Sequence, residues 1–116
     1  MLARADRLRL GRDIDRVYKL GRYGGGEELS VKVLEQHSPQ KRVVVIVGKK
    51  VSKKAVVRNH NRRRLTEIIS GMWQQILPGC DIVVTVRSDT ATFKPDELKQ
   101  QMIKALERAG ALKKDK

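Results

Sequence analysis

Apolar positions recur along this chain with several different rhythms. Between Arg12 and Leu20 they fall at Ile14, Val17 and Tyr18, on one side of a short helix. Leu29, Val31 and Val33 alternate with polar neighbours, the two-residue period of a half-exposed strand. Val43 to Val47 is an unbroken apolar run, rich in β-branched residues, and predicts a second strand, Lys41–Val47, covered on both faces. From about Lys54 to Ile76, Val57, Leu65, Ile68, Ile69, Met72 and Ile76 follow helical spacing, with Ser52 placed to cap the start. Asp81–Val86 reads as a third strand after Pro78-Gly79. Pro95, Asp96 and Glu97 suit the first turn of a last helix, whose apolar side runs through Leu98, Met102, Ala105, Leu106 and Ala109 to a stop at Gly110. Gly24-Gly25-Gly26 predicts a flexible break, and His37-Ser38-Pro39-Gln40 a turn. The order helix, strands, helix, strand, helix predicts an α+β fold, a small mixed β-sheet packed with about three helices. It forms one domain over residues 1–116, with mobile ends at about 1–6 and 113–116.

Composition narrows the function. The longest apolar run is far short of the roughly 20 residues of a membrane helix. The N-terminal Arg4, Asp6, Arg7 and Arg9 are not followed by the apolar stretch of a signal peptide. Cys80 is the only cysteine, so no internal disulfide forms, and with two histidines it is a poor basis for a zinc site. These features predict a cytoplasmic protein that makes no use of a membrane. The net charge is +13, and residues 36–66 carry ten basic groups and no acid. Such a block repels itself unless a polyanion neutralises it; a merely solvated surface normally mixes both signs.

Inside that block, Gly48 to Leu65 is a basic loop running into the first turns of a helix. On a helical projection Asn59, Arg62 and Arg63 lie opposite Leu65, Ile68 and Met72, and Lys49, Lys50, Lys53 and Lys54 approach the same side from the loop. Arginine forks grip two phosphate oxygens at once, and a helix start favours phosphate. There is no catalytic constellation. Asp13, Asp15, Asp81 and Asp96 are scattered, and the motif-bearing segment has no carboxylate to act as a general base or to hold two metals. Trp73 reads as core, Cys80 as a small, partly buried residue, and His60 as an exposed helix residue or a phosphate contact; His37 is assigned no role. The three glycines lack the Lys-Ser/Thr of a phosphate-binding loop.

Three blocks in order resemble the ribonuclease P protein family. They are Arg7-Leu8-Arg9 with Asp13-Ile14-x-x-Val17-Tyr18-Lys19-x-Gly21, then Lys49-Lys50 with Arg58-Asn59-x-x-Arg62-Arg63, then Asp81-Ile82-Val83-Val84-x-Val86-Arg87. The resemblance implies a subunit of an RNA-based endoribonuclease whose RNA holds the Mg²⁺ ions and performs hydrolysis; the protein itself holds no metal and has no catalytic residue. It implies two partners, the catalytic RNA subunit, with one protein per RNA, and precursor tRNA, whose 5′ leader is removed. RNA contacts are expected from Lys49, Lys50, Lys53, Lys54, Arg58, Asn59, Arg62, Arg63, Arg7 and Arg9. A leader-binding cleft between the first helix and the sheet is expected from Arg12, Ile14, Arg16, Val17 and Tyr18, over an aliphatic floor of Val31 and Val33. The resemblance also implies a left-handed βαβ crossover around the basic helix, against a preference of about 98% for the right-handed form. Two departures stand out: Asn61 occupies a position that is usually aliphatic, and the first strand lacks the family's aromatics. The alternatives are a structural ribosomal protein, a self-sufficient nuclease and a helix-turn-helix DNA binder. The ordered motifs, the missing carboxylate cluster and the strand before the basic helix argue against them in turn.

Overall fold

The computed structural model describes residues 6–9, 11–26, 28–36 and 38–113. Its elements are α1 (Gly11–Leu20), β1 (Arg22–Gly25), β2 (Leu29–Glu35), β3 (Arg42–Val47), α2 (Ala55–Gly71), β4 (Cys80–Val86) and α3 (Pro95–Arg108), with a 3₁₀ turn at Trp73–Gln75. The four strands form one sheet in the order β1-β2-β4-β3. β1 and β2, and β2 and β4, run antiparallel; β3 and β4 run parallel. The α+β expectation therefore holds. Among the described residues no helix is long and apolar enough to cross a membrane.

Alternation along the strands divides the sheet into two faces. Leu29, Val31 and Val33 of β2, Val43, Val45 and Val47 of β3, and Ile82, Val84 and Val86 of β4 share a core with Leu65, Ile69 and Met72 of α2 and Leu98, Met102 and Leu106 of α3. On the other face Leu8, Val17 and Val83 form a smaller cluster, with Ile14, Leu34, Val44 and Ile46 packed against it. α1 belongs to this second face. One edge of β3 pairs with β4; at the other, Arg7 bridges Val43, and the Leu8 N–H donates to the Val43 carbonyl at 2.9 Å.

These facts give the hand of the crossover. In a strand of L-residues running upward, a residue whose side chain faces the viewer points its carbonyl to the right. Val43 faces the α2 core and points its carbonyl away from β4, so β4 lies to the left of β3 when seen from α2. The path β3–α2–β4 is left-handed, as the family resemblance implies.

Three boundaries differ from the expectation. The glycine run is not a break: Arg22–Gly25 is an edge strand covered by α3. A Cβ on Gly24 would lie 2.1 Å from the Ala105 carbonyl oxygen, so this glycine is needed for close helix–strand approach and not for flexibility. α2 stops at Gly71, before Ile76, and Ile76 instead bridges Leu112. Ser52 does not cap α2. Lys54 is the N-cap residue, and the Ser52 hydroxyl accepts the Lys54 N–H one turn early. Of the ends expected to be mobile, residues 1–5 and 114–116 lie outside the described residues, as does His37. Asp6 and Lys113 are held: Asp6 accepts the Gln40 side-chain amide at 2.8 Å, and the Lys113 N–H donates to the Gln75 carbonyl at 2.9 Å.

Candidate nucleic-acid interface

The middle of α2, from Asn59 to Glu67, stands beside the strand-like segment that covers the β3 edge. Between them runs a cleft of about 560 Å³, lined along its rim by Arg7, Arg9, Asn59, Arg62 and Arg63 and along its floor by Leu8 and Val43–Val45. Five residues expected to contact RNA thus meet around one groove, although more than fifty positions separate Arg7 from Arg62. Glu67 is the one carboxylate among the described residues that line it. Asn59 accepts a hydrogen bond from the Arg62 guanidinium at 2.6 Å, which holds that fork on the exposed side of the helix. Lys49, Lys50, Lys53 and Lys54 are all exposed in the loop that leads into α2 and do not line the groove. α2 opens with no side-chain cap and no acid in its first turn, so its leading N–H groups add to the positive field.

Arg58 has another task. It is half-buried, and its guanidinium donates to the carbonyls of Ser52 and Lys53, both at 2.9 Å. It thereby fixes the shape of the lysine loop. Arg64 likewise turns away from the groove and donates to the carbonyls of Thr90 and Phe93. Asn61 is fully buried and fully partnered: its amide donates to Val57 O and Asp89 Oδ1, and its oxygen accepts the N–H and hydroxyl of Thr90. The hydrogen bonds from Asn61 and from the Ala91 N–H hold the Asp89 carboxyl below its ordinary pKa of 3.8. The departure at Asn61 is thus a pin between α2 and the loop before α3.

On the opposite face of the sheet, α1 presents Arg12, Arg16 and Tyr18 outward. The Tyr18 hydroxyl meets Thr85 Oγ1 at 3.2 Å, while its ring stays 37% exposed at the rim. Val17 is fully buried and seats the helix, so it offers no surface to a ligand. The expected floor is corrected here. Val31 and Val33, each 1% exposed, point into the α2/α3 core on the far side of the sheet. Alternation puts Ser30, Lys32 and Leu34 on the α1 side instead, and the Lys32 ammonium donates to the Tyr18 carbonyl at 2.7 Å. Arg42 of β3 grips both oxygens of Asp81 on β4, at 2.9 and 2.7 Å, and reaches α1 through Asp13 at 3.5 Å.

The family model for Ribonuclease P matches residues 2–110. The chain belongs to the ribonuclease P protein family. It is 38% identical over 112 residues to the ribonuclease P protein component of Pseudanabaena sp., covering 90% of this chain and 95% of the relative. The ribonuclease P protein of Thermotoga maritima has the same fold, with a TM-score of 0.78, 27% identity, and coverage of 88% of this chain and 96% of that one. That of Staphylococcus aureus, at 24% identity, shares the fold with a TM-score of 0.79 over 100% and 98% of the two chains. Within this ribonuclease P fold, Lys32 was missed by sequence reasoning. Its alternation with Val31 and Val33 was visible, but which face α1 covers was not.

Proposed function

We propose that this chain is the RNA-binding subunit of ribonuclease P, promoting endonucleolytic removal of the 5′ leader from precursor tRNA. The observation that carries the reading is the groove. Arginines from the N-terminal segment and from α2 flank one channel, and the lysine loop that leads into α2 contains no acid. That arrangement suits the phosphates of a folded RNA, with backbone contacts supplying affinity more than sequence choice. The catalytic RNA takes this side and the single-stranded leader takes the α1 side, with one protein per RNA.

Hydrolysis belongs to the RNA subunit, and Mg²⁺ is held there. Among the described residues no three His, Cys, Asp or Glu side chains gather into a metal-binding group. The complex works in the cytoplasm with its RNA partners. Reconstitution with a bacterial catalytic RNA tests the reading. Precursor tRNA should be cleaved at lower Mg²⁺ than the RNA needs alone, and RNA-free protein should cleave nothing. Metal-dependent cleavage by the protein alone would defeat the proposal.

A further inference from the structure

Tyr23 is half-exposed on edge strand β1 and takes no part in either core cluster. Its neighbour Gly24 is turned into α3, so Tyr23 faces the α1 side of the sheet. Directly opposite it on β2 is Lys32, whose ammonium reaches the Tyr18 carbonyl. Arg87, just beyond β4, swings over the same face. Its guanidinium lies 5.9 Å from the centre of the Tyr23 ring and donates to the Tyr23 hydroxyl at 3.1 Å. Between them lie Gly25 and Ser30, cross-strand partners with little or no side chain, which leave the diagonal open. Two phenol rings, each pinned at its hydroxyl, therefore flank Lys32 on one face.

We infer that Tyr23 and Arg87 form a second subsite for a nucleotide of single-stranded RNA, continuing a track that begins at Tyr18. The inference rests on the proposed reading of the α1 side as the leader-binding face. A ring held by a guanidinium on one side offers the rest of its surface to a base, and every base has a flat face. Arg87 is exposed and charged, and it can take the adjoining phosphate while it stays against the ring. Lys32 places a further cation between the two rings. The aromatic side chain lacking in β2 is thus supplied from β1, one strand away.

The test uses holoenzyme reconstituted with a bacterial catalytic RNA. Binding is measured to precursor tRNA with a long leader, to precursor tRNA with its leader cut to the last few nucleotides, and to mature tRNA. Tyr23→Ala should weaken long-leader binding roughly fivefold or more, and leave the other two RNAs unchanged. Tyr23→Phe keeps the ring and should keep most of the affinity. Arg87→Ala should lower the salt slope by about one unit on the long leader alone. Tyr23→Ala that binds the long leader like wild type, or weakens equally on all three RNAs, overturns the subsite. If the wild type itself prefers no leader, the leader reading fails and the subsite falls with it. Circular dichroism of each variant distinguishes a weakened RNA interaction from an unfolded protein.

Discussion

The basic block of residues 36–66 divides into an underside and an outer rim, and the two behave as different materials. On the underside, Lys41, Arg42, Arg58 and Arg64 bond to carbonyls or to Asp81 and hold elements together. Lys41 also lies over the Trp73 ring, 5.4 Å from its centre. On the rim, Lys49, Lys50, Lys53, Lys54, Arg62 and Arg63 are exposed. Arg63 and Arg64 are adjacent in sequence and fall on opposite sides of this division. Net charge therefore overstates what a polyanion can reach, because part of it acts as internal mortar.

Removing each kind of cation should break the molecule in a different way. The largest effect is expected from Arg42→Ala. It strips both hydrogen bonds from Asp81, whose side chain is 2% exposed, and releases Asp13 of α1. A destabilisation of about 3 kcal/mol in urea unfolding is expected for a buried carboxylate left without its partner. A change below the scatter of surface mutants would show that Arg42 belongs to the rim.

Asn61→Leu comes next, at about 2 kcal/mol, because the Thr90 N–H and hydroxyl lose their acceptor inside the protein. It should also alter the acid limb of stability. The Asp89 carboxyl is held below its ordinary value, chiefly by Asn61. Its stabilising contribution is present above the unfolded pKa of 3.8 and is lost as pH falls through the lower folded value. In Asn61→Leu that part of the pH dependence, between about pH 4 and the folded value, should shrink. Unfolding curves measured across acidic pH would show it, and an unchanged acid limb would count against the pin.

The smallest effects on folding belong to the rim. Arg62→Ala and Arg63→Ala should each shift stability by no more than about 0.5 kcal/mol. Each should nevertheless weaken binding to the catalytic RNA and reduce the salt slope by up to about one unit for each phosphate no longer neutralised. Arg64→Ala should do the reverse, lowering stability and leaving the salt slope nearly unchanged. A salt slope that falls as much for Arg64→Ala as for Arg62→Ala would erase the division.

The sequence by itself determined the elements with long, regular rhythms. The apolar side of α2, the three strands at Leu29, Val43 and Asp81, and the final helix all appear where hydrophobic period predicts them, because local spacing dictates which side chains share a face. The rim was legible for the same reason, since Asn59 and Arg63 had to project away from Leu65, with Arg62 at the flank between the two sides. Only the tertiary structure decided what each face meets. Val31 and Val33 were correctly apolar and wrongly assigned to α1's side, because alternation separates two faces without saying which helix covers either. Gly24 looked like a hinge because a glycine required by a helix lying against it carries the same letter as one required by a turn. Arg64 and Asn61 acquired their roles from the distant segment between Asp89 and Phe93, and Arg58 from carbonyls of the loop just before its own helix, partners that residue spacing on one helix cannot reveal.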